Sequence, residues 1–572
     1  MPGFHLSSVL CFFIVFLFSL TSNAASEDDT VVITSSGPIK GKQVPAGSGS
    51  VMAYLGIPYA EPPVGKLRFQ KPLPHQPWSQ VLEATSFGNA CPQFIFTNFT
   101  EADLWAANRP LSEDCLFLNV WVPHPRPSSP TPVLAWLHGG SGFLTGTASL
   151  DMYNGAFLAE QESLVVISLN YRLGALGFLS LPPAAPGNMG FMDQQLALKW
   201  VQENAAAFGG DPTRVTIFGH NAGAVFVSLH LLSPSSQDLF AKAVLQSGTP
   251  NTVWAWRSPE EAKQRSLAFG QLLGCAEDGD AAFLSCLQEK DAKEFSQYEL
   301  SLILKRVLDV PFLPTIDDEF LPDEPQKLLE AGRIQHKPVL IGVTSDEASA
   351  FVPYFFPHAN DGLITWEQLL KATGMMVQNL TEEDVQAVAL KYSEEDSGPG
   401  RFRWAMSQSF SDYFFVCPAA EFAAKVREAG NPLYFYSFRH HTSGSVWPEW
   451  IGAPHGAEIP YVFGTLESVL GVNQTYTEAE AALSRRMMHY WAEFSRTGKP
   501  TGSGASGEEW PLYNVTQPNF FHLDTEPSPV TQRAPLRHCD FLKEHLAKPN
   551  KSGEVPKSPG KEGEGEFESS IQ

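Results

Sequence analysis

Short apolar runs rich in β-branched residues alternate along the chain with longer stretches of helical periodicity. A strand that is buried on both faces of a parallel sheet is an almost continuous apolar run, and helices provide the crossovers between such strands. The pattern therefore predicts an α/β fold with a large, mostly parallel central sheet and helices on both faces. The predicted strands are Pro132–Leu137, Leu164–Leu169, Arg214–Phe218, Ala243–Gln246, Pro338–Gly342 and Pro432–Phe438.

The two ends of the chain depart from this pattern. Leu10–Leu20 is an almost unbroken apolar run too short to span a bilayer, and Ser22 and Ala24 follow it with the small side chains that signal peptidase requires. We predict a signal peptide at residues 1–24 and a secreted, extracellular protein. Residues 546–572 are rich in Lys, Glu, Gly, Pro and Ser, so we expect a disordered polar tail and no membrane anchor. One domain is expected between these ends, at residues 25–545.

Composition restricts the partners and the compartment. The 39 basic and 62 acidic side chains give a formal net charge of −23, which argues against nucleic acid as a partner and would draw cations toward an acidic cleft. Charge that only keeps the protein soluble is an equally good explanation. Six cysteines remain after residue 24, and an even number in an exported chain predicts three disulfides, whose pairing stays open at this point. Sequons predict N-glycosylation at Asn98, Asn379, Asn473, Asn514 and Asn550.

Residues 214–223 combine an apolar strand, the turn Gly-His-Asn-Ala-Gly and the start of a helical pattern. This is the strand–turn–helix context of a nucleophile elbow, in which glycines let strand and helix pack closely around a strained, exposed central residue. Asn221 occupies the central position, where the motif has serine. Asparagine tolerates positive φ, but its amide nitrogen is a poor nucleophile because its lone pair is delocalised into the carbonyl. We therefore expect no acyl-enzyme.

Motifs spread over the whole domain resemble those of the cholinesterases, within the type-B carboxylesterase family. The shared stretches are Ser112–Leu116, Asp193–Leu198, Phe208–Pro212 and Trp450–Gly456. Together they are far more specific than any one motif, and the resemblance, strongest to the butyrylcholinesterases, extends from about residue 30 to residue 545. It implies the α/β-hydrolase fold, an aromatic gorge, and chemistry that needs no cofactor and no metal.

The resemblance also implies roles for individual residues at the catalytic centre. It identifies Glu347 as the acid and His455 as the base, and the chain order nucleophile, acid, histidine is that of the α/β-hydrolases. An oxyanion hole is implied at the backbone N–H of Ala222 and at Gly139 and Gly140 in the glycine loop. Without a serine, a purely structural hydrogen-bonded pair explains the acid and the histidine equally well.

The resemblance also implies a ligand gorge, with a choline site and an acyl pocket. Trp105 matches the tryptophan whose ring face holds the choline cation. Leu308 and Val310 stand where acetylcholinesterases carry phenylalanine, so a larger acyl pocket is implied, and Phe351 agrees with the same relatives. The disulfides implied by the resemblance are Cys91–Cys115, Cys275–Cys286 and Cys417–Cys539.

Three departures argue against cholinesterase activity. Ser141 is an extra residue in the glycine loop, and Phe96 and His220 stand where cholinesterases place acidic side chains. We favour a pseudoesterase that keeps the gorge and binds a small ester or quaternary ammonium ligand. It would either sequester that ligand without hydrolysing it or act as a partner in adhesion or signalling. The alternative is an active carboxylic-ester hydrolase for choline or related esters, which requires serine at residue 221 in the natural sequence. A monomer or dimer is expected, because no aromatic tetramerisation tail is present.

Overall fold

The structure is a computed structural model that describes residues 30–95, 104–140, 143–276, 279–302, 307–502, 509–526, 536 and 538–546. Outside these ranges lie the predicted signal peptide, Phe96, Asn98, Ser141, Asn550 and the predicted tail from residue 547 onward. The other sequon residues, Asn379, Asn473 and Asn514, are exposed, as a glycan requires, and their glycosylation stays a prediction.

The strands of the described residues are β1 (Val31–Thr34), β2 (Gly37–Lys40), β3 (Lys42–Ala46), β4 (Gly49–Pro58), β5 (Leu82–Glu83), β6 (Phe117–His124), β7 (Thr131–Leu137), β8 (Val165–Leu169), β9 (Ser180–Leu181), β10 (Ala185–Pro186), β11 (Gly210–His220), β12 (Lys242–Gln246), β13 (Val339–Thr344), β14 (Leu433–Phe438) and β15 (Phe521–Leu523). Ten of them form one large sheet at the centre of the fold, in the order β15-β14-β13-β12-β11-β7-β8-β6-β4-β3. Neighbours from β15 to β8 pair in parallel. The six predicted runs are strands of this parallel part, so the predicted fold class is confirmed.

The remaining part of the large sheet is antiparallel and was not predicted from the apolar runs. β6 pairs with β8 and β4, and β4 pairs with β3, all antiparallel. The register of β4 against β6 shifts between Tyr54 and Ile57, which interrupts the regular alternation that a strand pattern depends on. Two small sheets, β1-β2-β5 and β10-β9, lie outside the large one.

Alternate residues of β7 supply two separate apolar layers. Val133 and Ala135 belong to one core cluster, whereas Leu134 and Trp136 belong to the other, and all four are fully buried. Since successive side chains of a strand point to opposite faces, both faces of the sheet are covered. Burial of each large aliphatic side chain contributes about 1.5–3 kcal/mol.

Helices cover both faces of the large sheet and form the crossover connections between its parallel strands. They are α1 (Ala156–Glu162), α2 (Gly174–Phe178), α3 (Met189–Asn204), α4 (Ala222–Leu232), α5 (Pro259–Leu272), α6 (Asp280–Glu289), α7 (Ala292–Ser301), α8 (Pro325–Glu330), α9 (Phe351–Phe355), α10 (Trp366–Gly374), α11 (Glu382–Ser393), α12 (Arg401–Ser411), α13 (Cys417–Glu428), α14 (Ile459–Phe463), α15 (Glu478–Thr497) and α16 (Cys539–Leu546). A π-helical segment, Asp412–Val416, joins α12 to α13. In the described part of the chain, no helix combines the length and the apolar character needed to cross a membrane.

Three disulfides tie the chain together. They join Cys91 to Cys115, Cys275 to Cys286 and Cys417 to Cys539. This is the pairing that the resemblance implied, and it is confirmed. The third disulfide closes the longest loop, with a sequence separation of 122, and fastens α16 to the start of α13. Loops of that length gain about 4–5 kcal/mol from a disulfide in the chain-entropy account.

Candidate active site

Asn221 lies at the sharp turn between β11 and α4, at the carboxyl edge of the parallel strands. Its backbone has φ 56° and ψ −122°, and its N–H donates to the carbonyl of Gln246 at the end of β12 (2.9 Å). The flanking glycines are required by close packing, because a Cβ on Gly223 would stand 2.0 Å from the carbonyl oxygen of Leu137. The elbow predicted from the sequence is therefore present, and its strained backbone costs on the order of 1–3 kcal/mol.

A continuous chain of hydrogen bonds runs from Asn221 through His455 to Glu347. Asn221 Nδ2 lies 2.8 Å from His455 Nε2, and His455 Nδ1 lies 2.5 Å from Glu347 Oε2. The other carboxylate oxygen of Glu347 accepts from the Ser247 hydroxyl (2.6 Å) and from the backbone N–H of Thr344 (2.8 Å). The network assigns the proton of a neutral imidazole to Nδ1 and leaves Nε2 as the acceptor of the Asn221 amide.

These three side chains come from separate segments that meet at one edge of the sheet. Glu347 follows the end of β13, and His455 lies in the loop between β14 and α14. Parallel strands bring their carboxyl ends to the same edge, which is where open α/β sheets bind ligands. The arrangement reproduces the hydrogen-bond pattern of a serine hydrolase triad, with an amide nitrogen where a hydroxyl would stand.

The imidazole of His455 lies between two rings. The ring centroid of His220 is 4.2 Å away and that of Phe415 is 4.7 Å away. Burial lowers the pKa of His220 well below its usual range, and the neighbouring His455 lowers it further, so His220 is neutral. Phe415 is presented by the π-helical segment, and such segments are frequent at functional sites. The two rings packed against His455 in the described part of the chain are therefore both uncharged.

The glycine loop after β7 packs directly on the elbow. A Cβ on Gly139 would stand 2.1 Å from the carbonyl oxygen of His220 and 3.1 Å from Asn221 Cβ. The backbone N–H groups of Gly139, Gly140 and Ala222 make no hydrogen bond to another residue in the described ranges. Among the described residues, which do not include Ser141, these donors near the elbow are unpaired, and the oxyanion hole stays a prediction.

The cavity at Trp105, where the resemblance predicts the choline side of a gorge, is narrow. Trp105 stacks on His220 with ring centroids 5.8 Å apart and an interplanar angle of 17°. Trp105 and Trp447 line a cavity of about 30 Å³ together with His441 and His455. This volume holds about two water molecules. A larger cation therefore requires side chains of the cavity wall to move.

The segment that the resemblance predicts to form the acyl pocket carries apolar side chains and is bound by a buried ion network. Val310 is buried, and Leu308 is half-buried with a backbone φ of 59°. The ring centroid of Phe351 is 6.4 Å from that of Phe415. The carbonyl of Val310 accepts from Arg257 Nη2 at 2.5 Å. Asp309, between Leu308 and Val310, forms ion pairs with Arg257 (3.1 Å) and Arg265 (3.2 Å). The sequence analysis did not identify these arginines.

Glu458 is a second buried carboxyl group near the centre that the sequence analysis missed, although it is only three residues beyond His455. Its Oε1 accepts from Gln246 Nε2 (3.1 Å) and from the Tyr436 hydroxyl (3.5 Å), and its Oε2 has no partner among the described residues. Burial raises the pKa of Glu458 to about 7, and the negative charge of Glu347 adds to the effect. The proton that Glu458 holds avoids two buried negative charges in one site.

Replacement of Glu458 by glutamine should make the protein more stable at pH 8, relative to the native chain, than at pH 4.5. Between its usual pKa of 4.5 and about 7, the folded protein keeps a proton on Glu458 that the unfolded chain releases, so the native chain loses stability as pH rises from about 4.5 to about 7. The expected relative gain of the variant is about 3 kcal/mol. Unfolding midpoints at the two pH values measure it.

Exposed Glu467, replaced by glutamine, is the matched control and should show no such difference. Buried His138, whose pKa burial lowers to about 4, has the opposite pH dependence, so only the difference between variant and parent is informative. An equal stability difference at both pH values would show that Glu458 is not held protonated by the fold.

The described residues contain no group of three or more His, Cys, Asp or Glu side chains that could hold a metal ion.

Comparison with known proteins gives two kinds of match. Residues 28–542 match the model of the carboxylesterase family. A cholinesterase of Mus musculus is 42% identical over 527 residues, which cover 90% of this chain and 87% of that protein. An acetylcholinesterase of Bungarus fasciatus is 42% identical over 528 residues, covering 90% and 86% respectively.

Proposed function

The chain belongs to the carboxylesterase family, and from that premise we propose that it is a secreted, cholinesterase-like pseudoesterase. The observation that carries the proposal is the 2.8 Å contact between Asn221 Nδ2 and His455 Nε2. In a serine esterase this histidine nitrogen takes a proton from the nucleophile. Here it accepts a hydrogen bond from an amide, which supplies no oxygen nucleophile that a base can activate.

The rest of the centre supports a retained binding function. His455 and Glu347 are hydrogen-bonded, and the backbone donors of Gly139 and Ala222 have no partner within the described ranges. The names of the two relatives refer to esters of choline, so a small ester or quaternary ammonium compound is the ligand class we propose for the gorge. With Trp105 stacked on neutral His220, cation binding is expected to be weak.

The test of lost hydrolysis uses the unmodified protein, with residue 221 verified by mass. We expect no burst with acetyl or butyryl esters of choline and no covalent adduct with an organophosphate, because both need a serine oxygen. Mass spectrometry of the intact protein and stopped-flow kinetics provide the two readouts. Turnover in the ordinary enzyme range of about 1–10³ s⁻¹ would refute the pseudoesterase proposal.

A separate experiment tests the gorge. Replacing Trp105 by alanine should weaken tetramethylammonium binding about 2- to 30-fold, the range that corresponds to a cation–π contact of about 0.5–2 kcal/mol. Calorimetry at low ionic strength measures the affinity. Trp366→Ala is the matched control, because Trp366 is half-buried against Phe402 and does not line the cavity beside Trp105. Unchanged affinity in Trp105→Ala would remove Trp105 from the proposed site.

A further inference from the structure

Only one of the two polar atoms in the Asn221 side-chain amide forms a hydrogen bond within the described ranges. Its Nδ2 donates to His455, whereas its Oδ1 is buried and has no hydrogen-bond partner among the described residues. The residue as a whole is 7% exposed. Buried acceptors in native proteins are almost always paired, so an unpaired acceptor at the centre of a ligand site indicates a missing donor.

The orientation of this amide is determined by Glu347. His455 Nδ1 faces the Glu347 carboxylate at 2.5 Å and must carry the proton, which leaves Nε2 as an acceptor. Only the amide nitrogen of Asn221 can meet that acceptor, since an exchange of its oxygen and nitrogen would set two acceptors against each other. Oδ1 is therefore directed away from His455 in a neutral centre.

Two residues next to Asn221, one in sequence and one in space, carry backbone donors that have no partner in the described part of the chain. The backbone N–H groups of Gly139 and Ala222 are unpaired among the described residues, and the backbone of Gly139 packs against Asn221. A ligand group complementary to this set needs an acceptor oxygen for the backbone donors and a donor for Oδ1. An ester offers acceptors only, and a trans secondary amide directs its N–H away from the side that carries its oxygen.

A primary carboxamide carries both groups side by side on one carbon. Three aromatic rings form an apolar wall next to His455 that suits the rest of such a ligand. The ring centroid of Phe415 is 5.9 Å from that of Trp254 and 6.4 Å from that of Phe351. We propose that the converted elbow binds small acyl compounds as their primary carboxamides, with the amide N–H donating to Asn221 Oδ1. This inference rests on the proposed pseudoesterase function and names the ligand class of the same site.

Calorimetry on the full-length native protein at neutral pH tests the proposal with butyramide, N-methylbutyramide, methyl butyrate and sodium butyrate. Butyramide should bind at least about tenfold more tightly than each of the others, the effect of one hydrogen bond to a buried acceptor. The proposal is overturned if butyramide does not bind, if the ester or the N-methyl amide binds as tightly, or if the butyrate ion binds best.

Two variants separate the acceptor from general packing. Asn221→Ala should reduce the preference for butyramide over N-methylbutyramide to within about twofold, because it removes Oδ1 but keeps the backbone donors. Asn251→Ala is the matched control, because Asn251 also has a buried Oδ1 without a partner and donates from Nδ2 to the carbonyl of Pro418 (3.1 Å). That variant should keep the preference. A folded Asn221→Ala protein, judged by its unfolding temperature, that keeps the preference also overturns the proposal.

Hydrolysis of methyl butyrate in the same samples is followed in parallel. Hydrolysis by the native protein would refute the pseudoesterase function while the ranking of the two amides could still be read. Absence of hydrolysis together with equal binding of the amides would refute the carboxamide proposal alone.

Discussion

Replacing Asn221 by serine is expected to turn on ester hydrolysis, with a gain in turnover of up to about 10⁶-fold over the native chain. The serine oxygen would stand beside His455 Nε2, which already lies 2.8 Å from the side chain at this position. Glu347 holds the imidazole with Nε2 free to act as a base. Esters with butyryl or larger acyl groups should be preferred, because the resemblance predicts Leu308 and Val310, which are smaller than phenylalanine, in the acyl pocket.

Organophosphate labelling of the serine variant, read as a mass increase on the intact protein, checks the nucleophile independently of turnover. Asn221→Ala is the control, since it removes the amide without supplying a hydroxyl and should stay inert. If the serine variant binds ligands but neither turns over nor labels, the idea that one side chain accounts for lost activity is wrong. Deletion of Ser141, which the resemblance identifies as an extra residue, is then the next variant to combine with it.

A second substitution, His455→Ala, is expected to abolish the activity gained by Asn221→Ser, again by about 10⁶-fold. The residues of a triad act as a unit, so removal of the base costs about as much as removal of the nucleophile. In the native chain the same substitution should change no hydrolysis rate, because there is no activated oxygen to lose. The kinetic effect of His455 thus depends entirely on residue 221.

Steady-state kinetics of the four proteins in this cycle measure that dependence. Glu347→Gln in the serine variant should cost less, about 10⁴-fold, because the base remains but its orientation and charge support are lost. Ser247→Ala, which removes only one donor to the Glu347 carboxylate, is expected to keep most of the gained activity. A serine variant that stays active without His455 would show that the hydrogen-bonded pair is structural.

The sequence by itself predicted the parallel part of the fold and the position of the elbow. Buried parallel strands such as Val165–Leu169 and Val339–Thr344 are apolar throughout, so a one-dimensional pattern identifies them. The elbow is local as well, because strand, turn and helix follow one another within a few residues around Asn221. The disulfide pairing and the roles of Glu347 and His455 came from family resemblance, since no local pattern joins residues 108 positions apart.

Only the tertiary structure decided what surrounds this centre. The antiparallel strands β4 and β6 carry a register shift that their sequence pattern does not reveal. Phe415 and Ser247 reach the centre from other segments of the chain, and Glu458 lies three residues beyond His455, but no sequence motif marks any of the three. That Asn221 Oδ1 has no hydrogen-bond partner among the described residues likewise follows from the three-dimensional arrangement and not from the sequence. Hydrogen bonding and burial depend on which groups the fold brings within about 3 Å of one another, and the order of residues along the chain does not contain those distances.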